Sequence, residues 1–348
     1  MPQVPGLKVA LKRGALLAAA NWPLVAVQFV AESTLKLLLA VPVVGGVTLV
    51  VLLLDAEAGT LLSGDLRLVF TAVLAALREN PAALAAFILS SLIVLVGGSV
   101  LTFIVKSGTV ATLADADAAA GPIERPPLRF QHLKRANRTG IEPFLDACRR
   151  FWRRYVRLGL CLLAVYGVLY GATAAGAWYL GLLIGSYALA DNVAVLLGGT
   201  VIAVVASGVV FIITSLVNLL YLLTQMIIAV DDSSVRRAFR QVFHFARESL
   251  SGIAGVFGVV PLLVVLALVA SILGAFGLGL ISWVPGAALA VLPLQVAAWL
   301  LRGFVFQYLA LTALGAYLTQ YRHSQRRTDL TAVPMPEGAR SRAGQRLA

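Results

Sequence analysis

The chain has 348 residues, 60% of them hydrophobic and 13% charged, with a mean hydropathy of +0.91 and a formal net charge of +12. That composition excludes an ordinary water-soluble domain, which could not cover so much apolar surface. Two cysteines and three histidines, scattered over separate segments, supply neither a disulfide framework nor a metal site.

In chain order, Lys8, Lys12 and Arg13 precede an apolar stretch from Ala15 to Val30, the charge order of a signal peptide. Asn21-Trp22-Pro23 interrupts that stretch, and Glu32 to Lys36 is followed at once by more apolar sequence. The segment therefore reads as an interfacial helix continuous with a first span. Six apolar spans follow, at about 22–54, 83–114, 158–185, 193–230, 253–281 and 287–318. Each exceeds the roughly 20 residues that cross a hydrocarbon core of about 30 Å. The excess predicts tilt, kinks or interfacial extensions. A membrane domain over 1–320 and a basic, disordered tail over 321–348 complete the division.

Lys and Arg resist translocation, so their placement gives orientation. Of the 28, 24 fall in four segments: the N-terminus to Arg13, Lys106 to Arg157, Val235 to Leu250, and the tail from Tyr321. Arg67 and Arg78 lie in the first loop on the other side, and Lys36 and Arg302 lie within spans. An even number of crossings with basic segments at both ends predicts both termini in the cytoplasm.

A short pattern recurs before each odd-numbered span: Val9-Ala10-Leu11-Lys12-Arg13, Asp146-Ala147-Cys148-Arg149-Arg150 and Arg237-Ala238-Phe239-Arg240-Gln241. Helical spacing puts Phe144, Ala147, Cys148 and Phe151 on one face and Arg149, Arg150, Arg153 and Arg154 on the other. The expected fold is all-α, a polytopic membrane protein of three repeats, each an interfacial amphipathic helix followed by two spans. Lys12, Arg13, Arg149, Arg150, Arg153, Arg154, Arg236, Arg237 and Arg240 are the expected contacts to anionic headgroups.

Asn21-Trp22-Pro23 near the first span and Asp231-Asp232-Ser233-Ser234-Val235-Arg236-Arg237-Ala238-Phe239 before the fifth carry a family resemblance. The chain resembles the six-span membrane domain attached to some glycerophosphodiester phosphodiesterases and similar stand-alone bacterial integral membrane proteins. The resemblance implies a bacterial plasma (inner) membrane domain without the hydrolase, since the catalytic barrel of those enzymes has no room here. No catalytic residue is carried over.

Within the spans, Arg302 stands out. A cation at mid-span costs at least about 2.5 kcal/mol on insertion scales, so it faces a cavity, a carboxylate, backbone carbonyls or a lipid phosphate. Glu32 and Lys36, four apart, have the order of a helical ion pair. Asn218 and Gln225 are seven apart on the fourth span, as Gln295 and Arg302 are on the sixth, so a polar seam between these helices is expected. Gly181 with Gly185, Gly252 with Gly255, and Gly274 with Gly277 read as close helix contacts, not phosphate loops. The sequon Asn137-Arg138-Thr139 falls on the basic side and carries no meaning there. The Arg149 to Arg154 cluster with Phe151, Trp152 and Tyr155 suits lipid headgroups better than nucleic acid.

No paired carboxylates, histidine cluster or Ser-Lys arrangement sits within a span, so an enzyme is not expected, and no cofactor or metal is implied. Two functions remain. One is a non-enzymatic module that binds anionic lipid or a protein partner, its own copy included, in a scaffold or envelope-homeostasis role. The other is a transporter or lipid-translocating protein with a polar midplane site around Arg302. A compact bundle favours the first, and a cavity open sideways to lipid favours the second.

Overall fold

The computed structural model describes residues 6–53, 81–124, 130–188, 193–282 and 287–332. The protein is all-α and polytopic: among the described residues there is no strand, and six helices are long and apolar enough to cross a membrane. In chain order the helices are α1 (Leu7–Ala20), α2 (Trp22–Leu53), α3 (Pro81–Ala119), α4 (Phe130–Ala136), α5 (Ile141–Ala188), α6 (Val193–Asp231), α7 (Val235–Glu248), α8 (Leu250–Ser282) and α9 (Ala287–Ala332). Of the loop expected from Asp55 to Pro81, residues 55–80 lie outside the described residues, as do the short loops expected around Asp191 and Asn192 and from Trp283 to Gly286, and the tail beyond Ala332.

The helices outrun a bilayer for an identifiable reason: each has two zones. Exposed large apolar side chains run over Leu160–Leu182 of α5, Leu197–Leu216 of α6 and Leu262–Ile281 of α8. At 1.5 Å per residue these stretches are about 30 Å long, the thickness of the hydrocarbon core. Toward the opposite end the same helices enter a packed cap. Its core joins Leu17, Leu113, Tyr155, Ile227, Val242 and Leu314, contributed by α1, α3, α5, α6, α7 and α9. The long helices are thus lipid-facing in the belt and packed in the cap.

Within the belt, α3 packs against α2, α5 and α6, and α9 against α2 and α8, while α8 leans mainly on α9. The helices α1 and α9 cross closely in the cap. A Cβ on Gly14 would collide with the Thr312 carbonyl, and one on Gly315 would lie 2.8 Å from the Gly14 Cα. Glycine at both positions lets the two backbones touch. The glycine pairs expected as contacts divide. Gly252 and Gly255 face Gln320 and Leu7 closely, whereas Gly181, Gly274 and Gly277 have open space beside them.

Polar residues fix the cap. Asn21 is fully buried between α1 and α2. Its Nδ2 donates to the carbonyls of Leu17 (3.0 Å) and Ala136 (2.9 Å), and its Oδ1 accepts the Arg138 N–H (3.0 Å). The expected tail boundary at 320 is corrected: α9 continues to Ala332 because Tyr321 donates to Asp231 (2.6 Å), and Arg322 reaches Asp117 (3.0 Å) and the Ala114 carbonyl (2.7 Å).

Candidate functional site

The polar side chains of the interior form three layers. The first lies in the cap. Arg13 Nε donates to Asp117 (2.7 Å), and its Nη1 donates to Glu124 (2.8 Å) and the Gly121 carbonyl (2.6 Å). Arg322 closes on the other oxygen of Asp117, whose side chain is only 2% exposed. Burial disfavours the charge on Arg13, but Asp117 and Glu124 more than offset it and raise its pKa. Nearby, Asp231 accepts from three neutral donors, Tyr321, Gln325 (2.9 Å) and Gln241 (3.2 Å), so hydrogen bonds rather than a cation satisfy it. Asp232 sits at φ 48, a left-handed conformation that Asp tolerates, at the break between α6 and α7. Hydrogen bonds from Arg150 and Arg154 hold its carboxyl below the usual range.

The second layer lies at the edge of the belt. Glu32 on α2 accepts from Gln307 Nε2 of α9 (2.6 Å) and pairs with Lys106 of α3 (3.6 Å). Lys106 stands eleven residues before Asp117, about 16 Å away along the helix. The expected pair of Glu32 with Lys36 is therefore corrected: Lys36 is exposed, and the carboxylate turns inward to neighbouring helices. The Lys106 that loop counting places on the cytoplasmic side is a residue of the α3 interior.

The third layer is Arg302 alone. It lies five residues before Gln307, about 8 Å farther into the belt. It is half-buried and, among the described residues, has no hydrogen-bond or ion-pair partner. Together with Ala298, Leu301 and Val305 of α9 it lines a cleft of ≈ 750 Å³ against Ala267, Ser271, Gly274, Gly277 and Leu278 of α8. The cleft exists because α8 presents small residues there and α9 does not fill the space they leave. Its walls are apolar, and the adjoining Leu273, Ile281 and Leu301 are strongly exposed, so the opening is toward lipid.

The other candidates are not brought to it. Asn218 is exposed and accepts the Tyr166 hydroxyl of α5 (2.6 Å), and Gln225 is buried in the cap with its Nε2 unpartnered. Gln295 is exposed two turns nearer the start of α9. The expected seam between the fourth and sixth spans is therefore not formed: a seven-residue spacing aligns two side chains on one helix but does not choose the helix they meet.

The predicted headgroup cations sort in the same way. Arg13, Arg150 and Arg154 are committed to carboxylates, and Lys12 donates to the Glu124 carbonyl (2.9 Å). Arg149 is exposed with a 4.0 Å contact to Asp146, and Arg153 lies over the Trp152 ring at 5.4 Å. Arg236, Arg237 and Arg240 on α7 are exposed, with no partner among the described residues, next to the exposed Phe239 and Phe243.

No family model, curated protein or solved structure matches the chain. Among the described residues no group of His, Cys, Asp and Glu is placed to hold a metal ion.

Proposed function

We propose that the protein is a non-enzymatic lipid-binding membrane module that seats an anionic amphiphile in the cleft between α8 and α9, with the lipid's negative group on Arg302. The observation that carries this reading is an unpaired guanidinium on the wall of an apolar cleft open to lipid. A cation in that setting needs a counter-charge, and a phosphate accepts the guanidinium fork in a bidentate pair. The apolar walls take the acyl chains.

The membrane in this reading is a bacterial plasma membrane, with the cap and both termini in the cytoplasm, following the placement of 24 of the 28 cations. The three-repeat scheme is part of the proposal. Ala10 and Ala238, at equivalent places in the recurring pattern, are both fully buried, and the middle member is fused into the start of α5. The amphipathic α7 supports an interfacial role: Ala238, Val242 and Phe245 are buried while its arginines, Phe239 and Phe243 face outward. The likeness to phosphodiesterase-linked membrane domains belongs to the same reading, as a module that holds lipid without cleaving it.

The sideways opening of the cleft counts toward lipid translocation, but a translocation path needs a polar midplane lining, and Asn218 and Gln225 are not brought to Arg302; translocation is therefore the second reading. Native mass spectrometry of protein released from nanodiscs tests the first. A stoichiometric anionic lipid retained by the wild type and lost in Arg302→Leu is expected. Equal retention by both would remove the basis for the site. Lipid scrambling in liposomes that is abolished by the same substitution would move the assignment to translocation.

A further inference from the structure

The cap carries a second cavity, separate from the lipid cleft, of ≈ 450 Å³. Its walls are Thr112, Asp115, Ala118 and Ala119 of α3, with Arg138 and Pro143 from the turn into α5. This volume is within the range of small-molecule sites. Asp115 and the Arg138 side chain are both exposed, and among the described residues neither makes an ion pair, with the other or elsewhere. Thr112 is 3% exposed, and its hydroxyl is buried with no hydrogen-bond partner. A buried orphan hydroxyl costs about 1–3 kcal/mol, a cost that a ligand group can remove.

The backbone that carries the cation is fixed by built structure. The Arg138 N–H donates to Asn21, and its carbonyl accepts from the Gly140 N–H (3.0 Å). The Thr139 N–H and hydroxyl both donate to Asn137 Oδ1, which tightens the same turn. The opposing carboxylate is on the long, regular α3. The cavity therefore offers an anion and a cation on different elements, an unsatisfied hydroxyl, and an apolar wall of Ala118, Ala119 and Pro143.

Depth bears on the source of the ligand. Leu101 is the last exposed large apolar residue of the α3 belt. Asp115 lies fourteen residues farther, about 21 Å along the helix. The headgroup layer adds only about 5–8 Å to each side of the hydrocarbon core, so the α3 wall of the cavity reaches beyond it, while the exposed Ile141, two residues from Pro143, leaves a zwitterionic headgroup as the competing occupant.

We infer that this cavity binds a free amphoteric solute of the amino-acid type, with its ammonium on Asp115, its carboxylate on Arg138 and an apolar side chain against Ala118, Ala119 and Pro143. Thr112 supplies a hydrogen bond to the carboxylate. The site would make the membrane module responsive to a water-soluble metabolite on its cap side.

The test is calorimetric titration of the full chain in phosphatidylcholine nanodiscs with L-leucine, 4-methylpentanoate and isopentylamine. Saturable one-site binding of leucine is expected, with the two analogues, each lacking one charge, at least about tenfold weaker. Asp115→Asn and Arg138→Gln should each weaken leucine binding by at least about tenfold without changing the melting temperature, and Thr112→Val by less. Absence of leucine binding would overturn the inference, as would analogues that bind equally well. The analogue comparison uses the wild type and stands even if a variant fails to fold. Leucine binding that disappears in phosphatidylethanolamine nanodiscs would reassign the site to a lipid headgroup and overturn the free-solute assignment.

Discussion

The belt and the cap share the long helices and draw on the same apolar residue types, yet they are held together differently. In the cap, apolar side chains interlock across six helices and the inward carboxylates are met by donors: Asp117 by two arginines, Asp231 by three neutral groups. In the belt the helices diverge, Gly274 and Gly277 face open space, and Arg302 has no partner among the described residues. The cap meets most of its inward charges itself, the cavity beside Thr112 excepted. The belt leaves Arg302 and the space beside Gly274 and Gly277 unfilled. Apolar residues therefore do two jobs in this chain, and the unfilled polar and steric capacity of the belt lies where a ligand from the bilayer can reach it.

This contrast can be broken at its strongest point first. Asp117→Leu leaves the guanidiniums of Arg13 and Arg322 without their shared counter-charge. It should destabilise the protein by about 3–5 kcal/mol, read as a fall in melting temperature in nanodiscs. Asn21→Ala removes a buried side chain with three hydrogen bonds and should cost about 1–3 kcal/mol, together with loss of amide protection in the turn 137–140. Gly14→Val forces α1 off α9, and overpacking of this kind costs about 1–3 kcal/mol. Its signature is faster proteolysis within α1.

Belt and surface substitutions should behave differently. Arg302→Leu is expected to change stability by less than about 0.5 kcal/mol while removing the bound anionic lipid. A large fall in melting temperature would mean that Arg302 holds the helices together instead. Replacing Arg236, Arg237 and Arg240 by Gln should leave the fold intact. It should lower the protein's preference for anionic over neutral annular lipid by about 1 kcal/mol per cation at low salt, measured by lipid exchange, with the difference shrinking as salt rises.

Titration of Asp232 should have the least effect. Arg150 and Arg154 depress its folded pKa, so the stability it contributes is present above the unfolded value of about 3.9. That contribution is lost as pH falls from there through the lower folded pKa. Asp232→Asn should flatten this acid limb by slightly lowering stability at neutral pH and leaving it unchanged below the folded pKa, and the change is small because the carboxylate is exposed and screened.

The fold is legible in the sequence wherever a rule concerns one helix at a time. Apolar runs of more than about 20 residues announce spans, and a cation such as Arg302 inside one announces a polar requirement. What the sequence hides is which apolar face meets protein and which meets lipid. On α6, Leu223, Ile227 and Ile228 are buried in the cap while Leu197 and Val201 are exposed in the belt. All five are strongly apolar, so hydropathy does not separate the two groups.

The partners of polar groups are hidden for a related reason. Loop counting groups Lys106 with the basic segment that runs to Arg157, although the span expected at 83–114 contains it. It lies inside α3, where Glu32, distant in sequence and itself held by Gln307, meets it. Gln225 and Asn218 share a face, yet one is enclosed in the cap and the other meets Tyr166. The cleft itself depends on α8 and α9 standing apart beside Gly274 and Gly277, a separation that spacing alone cannot express.

The most direct test is photo-crosslinking in nanodiscs with an anionic phospholipid bearing a diazirine in its acyl chain, mapped by peptide sequencing. Adducts concentrated on the cleft residues of α8 and α9, and lost in Arg302→Leu while the rest of the belt labels as before, are predicted. Uniform labelling around the belt, unchanged by the substitution, would contradict the claim that Arg302 seats an anionic lipid.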